Sequence, residues 1–347
     1  MIHLDGSYLE GGGQIVRTAL ALSTITEKSF KVDKIRLGRP KPGLKAQHLH
    51  CIKALEDLCS AKTEGATLGS TSLTYIPGHF KVKPLSIDIG TAGSVSLFLQ
   101  ALLIPCLFGS RTINLNIKGG TDGKWAMPFD YLNNVFLPQI RKYAKKIEVR
   151  LLKRGYYPKG GGEIELSVTP KFNLQNIKEA PMINLTKRGN ILLIKGVSHA
   201  SINLEAPKVA DRQAKAAELA LTRLQCPAII QKAYYNSHCP GSGIVLWALC
   251  GDKEMDDINP VIIGGDALGE RYKSSEQVGK EAADNLLKEL NAPVDSHMAD
   301  NLIPFLALFG GSIKVSQLTE HTKTNIYVSE QFLGKIFEVK DNLITAA

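Results

Sequence analysis

Leu85-Ser86-Ile87-Asp88-Ile89-Gly90-Thr91-Ala92-Gly93-Ser94-Val95-Ser96-Leu97-Phe98-Leu99-Gln100 is the stretch from which the fold can be read. Leu85–Ile89 alternates apolar and polar side chains, the period of a strand with one buried face. Thr91-Ala92-Gly93-Ser94 follows as a turn ending on a serine suited to cap a helix. The apolar run Val95–Leu107 then predicts that helix. The same order stands about 85 residues earlier in the chain. There residues 1–4 predict a strand and Glu10-Gly11-Gly12-Gly13 a turn. Ile15, Val16, Ala19, Leu20 and Leu22 lay an apolar face along a helix from Gln14 to Ile25.

Working outward, each copy completes a βαβαββ unit. In the first, a strand at Phe30–Ile35, a helix from Pro42 to Leu58 and two strands flanking Gly69 follow. In the second, the pattern predicts a strand at Thr112–Ile117, a helix at Phe129–Ala144, and strands at Ile147–Leu152 and Glu163–Val168. A weaker third copy ends the chain: helix Met298–Phe309, strand Ser312–Gln317, a helix after Thr324, and strands Ile336–Val339 and Leu343–Thr345. Its first strand has no clear sequence signal. Between copies two and three the period breaks, with strands at Asn190–Ser198, Ile229–Asn236, Gly243–Cys250 and Val261–Ile263 and helices at Lys208–Leu224 and Ser275–Leu290. The expected fold class is therefore α+β. Three repeats form a large catalytic domain over 1–184 and 275–347, and a smaller α+β domain is inserted at 185–274.

Composition agrees with a folded chain of this size. Its 347 residues are 44% hydrophobic and 22% charged, enough for a full core and too apolar for disorder. The net charge of +9 favours polyanionic partners such as nucleic acid or nucleotide phosphates. Six cysteines show no C-x-x-C spacing, which disfavours a structural zinc site and fits buried thiols in a reducing compartment. The N-terminus lacks a signal-peptide pattern, and Leu97–Phe108 is too short to span a bilayer, so no membrane partner and a cytoplasmic location are expected.

Several motifs carry polar chemistry inside this apolar frame. Glu10 and three glycines open a helix, a place where backbone amides can meet an anion; the plainer alternative is a tight strand-to-helix turn. Arg17 falls off the apolar stripe of that helix, either toward a phosphate or as a solvated charge. The loop from Arg36 to His48 holds four cations, two prolines and two glycines, consistent with a stiff phosphate-binding loop. His48 falls on the apolar face of its helix and reads as a core histidine, with Gln47 beside it. Gln100, an amide in an apolar helix, needs partners from backbone or ligand. Arg154-Gly155-Tyr156-Tyr157-Pro158-Lys159 pairs aromatics with cations, a composition suited to unstacked bases, or simply to a glycine-rich hairpin. His297-Met298-Ala299-Asp300-Asn301 starts a helix, with Asp300 as a cap or first-turn acid. Glu320-His321-Thr322-Lys323-Thr324-Asn325 places one histidine among hydroxyls and amides just ahead of the last helix, where an imidazole can act as a nucleophile.

In this order the motifs closely resemble the RNA 3′-terminal-phosphate cyclase family. The likeness rests on Asp5-Gly6-Ser7, Glu10 to Ile15, Arg17, Arg36, Arg39, Pro42-Gly43-Leu44 and Gln47-His48. It continues through Thr91 to Ser94, Gln100, Gly119-Gly120-Thr121-Asp122, Arg154 to Gly162, Ala299-Asp300, His321 and Thr324-Asn325, and so spans essentially the whole chain. The resemblance implies ATP-dependent conversion of an RNA 3′-phosphate to a 2′,3′-cyclic phosphate, with release of AMP and pyrophosphate. It also implies three repeats like the C-terminal domain of translation initiation factor three, plus a small insert.

By the same resemblance His321 aligns with the adenylylated histidine, and Glu10, Arg17, Arg36, Arg39 and Gln47 with positions implicated in activity. Glu10 is thereby drawn to the nucleotide, and the four others to substrate phosphates. Gln100 and His297–Asn301 align with ATP contacts. The family form tyrosine-leucine-alanine-aspartate-glutamine is replaced here by His297-Met298-Ala299-Asp300-Asn301, which weakens the carry-over at 297 and 301. The implied partners are RNA 3′-phosphate ends and ATP, with a divalent cation, Mg²⁺, whose ligands the resemblance leaves unknown. The alternatives are a non-cyclising relative in ribosomal RNA processing, an enolpyruvyl-transferase-like enzyme, and a plain RNA-binding module. His321 argues against the first, and the chain is short for the second.

Overall fold

The computed structural model describes residues 1–347. The first unit contains β1 (Ile2–Asp5), α1 (Gln14–Thr26), β2 (Phe30–Asp33), α2 (Ala46–Cys59), β3 (Lys62–Glu64) and β4 (Leu73–Ile76). The second contains β5 (Leu85–Asp88), α3 (Val95–Leu107) and β6 (Ile113–Gly119). It continues with the short helices α4 (Phe129–Tyr131) and α5 (Leu137–Ile140), joined by a π turn, and closes with β7 (Ala144–Lys153) and β8 (Gly162–Pro170). The expected single helix over 129–144 is thus broken, with Pro138 inside the segment lacking the N–H a continuous helix would use. Helix α2 starts at Ala46 and not at Pro42, because Gly43 is left-handed at φ +74°.

The first strand of the third unit is β9 (Ile183–Leu185), the strand that left no sequence signal. The chain then leaves through β10 (Asn190–Ser201), α6 (Val209–Leu221), β11 (Ala228–Tyr235), β12 (Ser242–Gly251), β13 (Val261–Leu268) and α7 (Ser275–Glu289). It returns with α8 (Ser296–Phe309), β14 (Gly311–Lys314), α9 (Glu320–Leu333), β15 (Phe337–Lys340) and β16 (Leu343–Ala346). β9 pairs in parallel with β14, so two segments far apart in sequence share one sheet.

Three sheets have one topology. Their strand orders are β1-β2-β4-β3, β5-β6-β8-β7 and β9-β14-β16-β15. In each the first pair is parallel and the others antiparallel. The fourth sheet, β11-β10-β12-β13, also has one parallel and two antiparallel pairs, but its strand order differs, with its second strand at the edge. It has its own helices: α6 and α7 pack on each other, and α7 lies on β12 and β13. The α+β class and the triple repeat are as expected. The expected division at 185 and 274 would cut β9 at its last residue and separate α7 from the sheet it covers. The packing therefore favours an insert running from 190 through α7.

α1 lies at the centre, buried on every face from Gln14 to Ile25 and packed against α2, α3 and α9. Its sequence had predicted one apolar face, but a helix surrounded by three neighbours has no solvent side to keep polar. No helix is long and apolar enough to cross a membrane. All six cysteines are free; four are buried, while Cys226 and Cys239 are half-buried.

A buried ionic cluster ties the second repeat to the insert. The Arg154 guanidinium donates to both oxygens of Asp122, at 3.0 and 2.9 Å, and to Asp130 at 2.5 Å. It also lies 4.7 Å from the ring of Tyr235 on β11. His199 of β10 reaches Asp122 at 3.3 Å and the Tyr156 hydroxyl at 2.8 Å. Burial alone would push the Asp122 carboxyl up, but Arg154, then His199 and the Thr121 hydroxyl, outweigh it and hold it well below the usual carboxylate range. A depressed folded-state carboxyl gives stability above its unfolded pKa of about 4 and loses it on acidification. Arg154→Met strands two carboxylates in the interior and should cost about 3–5 kcal/mol at pH 7. In that variant the carboxyls gain protons readily, so denaturant titrations should show the deficit narrowing as pH falls. A constant deficit from pH 7 to pH 4 contradicts this account.

Candidate active site

α9 begins at Glu320 and not after Thr324, so His321 is the second residue of the helix and not part of a preceding loop. The Thr319 hydroxyl caps the helix, accepting from the Thr322 amide at 3.0 Å. Thr319 and Thr322 both donate to Asp300 Oδ1 at 2.6 Å, and Asn325 Nδ2 donates to the Asp300 carbonyl at 2.5 Å. Burial pushes the Asp300 carboxyl up, opposed by these hydroxyls and by His321. Asp300 is thus neither the cap nor a first-turn acid of its own helix, the two roles expected for it; Asp295 is the cap, accepting from the Met298 amide. Asp300 instead anchors the first turn of α9.

That anchoring sets the imidazole of His321, whose side chain is 45% exposed. Its Nδ1 donates to Gln14 Oε1 at 2.6 Å and lies 3.0 Å from Glu10 Oε2. Gln14 Nε2 donates back to the His321 carbonyl at 3.3 Å. A proton held on Nδ1 leaves the Nε2 lone pair free, and no protein group hydrogen-bonds Nε2. Glu10 Oε1 pairs with Arg39, while Oε2 is buried without a hydrogen-bond partner. Gly11, left-handed at φ +56°, makes the turn that carries Glu10. Gly13 serves a different purpose: a side chain there would collide with His48.

Arg17 is buried on α1 and not a solvated charge. Its Nε donates to Gln100 Oε1 at 2.8 Å, and Gln100 Nε2 donates to Asn301 Oδ1 at 2.8 Å. Burial lowers the guanidinium to about 10, which leaves it charged at neutral pH. His48 is a core histidine as expected, buried and pushed well below its ordinary value by desolvation, then by Arg17, Arg36 and Lys45. Its Nδ1 accepts from the Lys45 amide at 3.0 Å, which assigns the remaining proton to Nε2. That N–H faces Arg17 Nη1 at 3.5 Å. Two donors then face each other with no acceptor between them.

The basic loop closes this end of the site. Arg36, left-handed at φ 55°, donates to the Lys41 carbonyl at 3.0 Å and braces the loop. Arg39 reaches inward to Glu10, and Gln47 stands half-exposed on the first turn of α2. At the other end, Gln100, Asp300 and Asn301 line a narrow cleft with Thr18, Phe136 and Phe305 among its walls. Of the segment 297–301, Met298 and Ala299 bury their side chains in the core. His297 is exposed, edge-on to Tyr131, with its ring centroid 6.3 Å away. The polar side chains offered to the cleft therefore come from Asp300 and Asn301.

Sequence reading passed over several members of the site. Gln14 was one letter of a motif, although it is the direct partner of His321. Thr18, which donates to Asn325 Oδ1 at 2.7 Å, drew no notice at all. Both contacts join residues 307 apart, a separation that no local pattern reveals. One acidic-histidine group, Asp122, Asp130 and His199, has ligand atoms within 4.8 Å of one another. Arg154 already occupies the position a cation would take, so these residues do not fit a metal.

Known proteins resemble this chain over nearly its whole length. The family model described as RNA 3'-terminal phosphate cyclase matches residues 8–339. A Pyrococcus furiosus protein named RNA 3'-terminal phosphate cyclase is 47% identical over 342 residues, covering 98% of this chain and 95% of its own. The protein of the same name from Pyrococcus abyssi is 48% identical over 341 residues, with 98% and 95% covered. That from Archaeoglobus fulgidus is 43% identical over 348 residues, with 99% of each chain covered. The chain belongs to the RNA 3'-terminal phosphate cyclase family.

Proposed function

We propose that this protein converts an RNA 3′-terminal phosphate to a 2′,3′-cyclic phosphate at the expense of ATP, through AMP carried on His321. One observation carries the reading: Gln14 Oε1 holds the Nδ1 proton at 2.6 Å and so presents Nε2 as the nucleophile. In the first step Nε2 attacks the α-phosphorus of ATP, a P–N bond forms, and the P–O bond to pyrophosphate breaks. The proton stays on Nδ1, so the ring becomes cationic 3.0 Å from Glu10 Oε2, whose charge stabilises it. In the second step a 3′-phosphate oxygen of RNA attacks the same phosphorus, and the P–N pair returns to Nε2. In the third the neighbouring 2′-hydroxyl attacks the RNA phosphorus, and AMP leaves as the ring closes. That closure is intramolecular, and effective molarities of about 10⁵ M or more make orientation its main requirement.

The cleft by Gln100, Asp300 and Asn301 suits the nucleoside, with amide and carboxyl groups for ribose or base. Arg17 and the Nε2–H of His48 lack an acceptor between them, which a phosphate oxygen supplies. Arg36, Arg39 and Gln47 lie on the side from which the RNA phosphate approaches. A divalent cation would add charge neutralisation on the phosphates. The residues beside His321 do not themselves form its site, since Glu10 already faces the His321 ring through Oε2 and pairs with Arg39 through Oε1. A simple RNA-binding role leaves the linked contacts of His321, Gln14 and Glu10 without a purpose.

Incubation with ATP labelled at the α-phosphate, without RNA, tests the reading. The chain should take up acid-labile label, and His321→Ala should take up none; label retained in that variant moves the nucleophile elsewhere. Gln14→Ala keeps the ring but frees its tautomer, and should slow labelling by about 10- to 100-fold with no change in thermal midpoint beyond a few degrees. An Arg36→Ala/Arg39→Ala protein should still label itself yet lose most turnover of 3′-phosphorylated RNA. Unchanged RNA turnover rules out the loop as a phosphate clamp.

A further inference from the structure

The nucleotide-transfer chemistry makes no use of the surface where the second repeat meets the insert. Three large aromatic rings stand there almost wholly in solvent: Trp125 is 93% exposed, Tyr157 78% and Tyr272 94%. Trp125 and Tyr272 also hold left-handed backbones, at φ 62° and 68°, a conformation bulky residues avoid. Tyr157 contrasts with its neighbour Tyr156, which is 3% exposed and bonded to His199. The paired tyrosines therefore divide the work, one packing the domain junction and the other facing outward.

The three rings sit on adjoining loops. Lys124 donates to Glu270 at 2.7 Å, so the turn carrying Trp125 abuts the turn carrying Tyr272. Asp122 and Tyr156 form a parallel bridge, which sets the Trp125 turn beside the Tyr157 turn. Cys239 Sγ, from the insert, donates to the Tyr156 and Tyr157 carbonyls at 3.2 and 3.5 Å. Cations are interleaved: Lys159 is exposed beside Tyr157, and Arg271 lies 5.4 Å from the Tyr272 ring. The surface is also continuous with the active site. A Cβ on Gly160 would collide with the backbone of Thr91 and Ala92, and one on Gly93 would stand 3.6 Å from Gln47 Cβ, so only that small gap separates the two surfaces.

We infer that Trp125, Tyr157 and Tyr272 form a stacking platform for unpaired RNA nucleotides upstream of the reacting 3′ end. The inference rests on the cyclase reading for its choice of ligand. Separate exposed rings with cations between them suit successive bases and their phosphates, since every base offers a π face and the backbone brings the charge. Such a platform grips RNA with little regard to sequence and positions the terminus at Gln47 and the basic loop. Substrates too short to reach it lose that grip.

The chain has two tryptophans, and Trp247 is buried, so quenching by added RNA reports on Trp125. The probe is a single-stranded 12-nucleotide RNA ending in a 3′-hydroxyl, which binds without reacting. It should quench the fluorescence saturably. By anisotropy of the labelled RNA, a Trp125→Ala/Tyr157→Ala/Tyr272→Ala protein should bind about 10- to 100-fold more weakly. The corresponding triple phenylalanine protein should bind within about threefold of the parent. With a 3′-phosphorylated 12-mer the alanine protein should show a raised KM and an unaltered kcat, whereas a 3′-phosphorylated dinucleotide should be turned over equally by both. Unquenched Trp125, or equal RNA affinity in the alanine protein, overturns the platform. Self-labelling with ATP is measured in parallel: its absence from the parent chain would defeat the cyclase reading, while the binding series would still decide the platform.

Discussion

Everything at the active site hangs on the end of one buried helix. α1 has no solvent face, and three polar side chains at its start each reach a different neighbour. Gln14 meets His321 on α9, Thr18 meets Asn325 on the same helix, and Arg17 meets Gln100 on α3 and approaches His48 on α2. Burying polar groups in such a place is costly unless each is satisfied, so the contacts select one arrangement of the surrounding helices. α1 is in effect the shared axis of the three repeats, and the His321 imidazole is referenced to it.

The repeat explains how one site draws on so many parts of the chain. Each unit contributes a sheet and a layer of helices, and helices of all three units converge at α1. Glu10, Arg17, Arg36, Arg39 and Gln47 come from the first, Gln100 from the second, and Asp300, Asn301 and His321 from the third. The insert shares in this arrangement at its edges. Asp295, the cap of α8, also accepts from the Gly264 amide of β13 at 2.9 Å and from the Tyr131 hydroxyl at 2.5 Å. The helix that bears Asp300 is thereby fixed to the insert as well as to the second repeat.

Much of this was legible from periodicity and turn chemistry. Gln14–Ile25 and Val95–Leu107 were readable because their apolar runs are long and bounded by glycine or serine. β9 was not, since three residues separated from their partner by the insert carry no period of their own. The His321 neighbourhood showed its residue types but not its geometry: a hydroxyl-rich run reads as loop, yet Thr319 and Thr322 use those hydroxyls on Asp300 and hold the segment helical. Of the two readings open for Arg17, the solvated charge fails, and its sequence neighbourhood hid this because the Gln100 that receives it lies 83 residues away. Tyr156 and Tyr157 looked equivalent until the insert covered one of them.

The pairing of β9 with β14 has a consequence for biogenesis. The first two sheets join strands that leave the ribosome close together in time, and each can close while the remainder is still being made. The third cannot. β9 waits through the whole insert for β14, and a loop of that length closes slowly because its entropy must be lost before the strand contacts form. Since α9 follows β14, a translating chain completes the contacts of His321 with Gln14 and Glu10 at the same late stage.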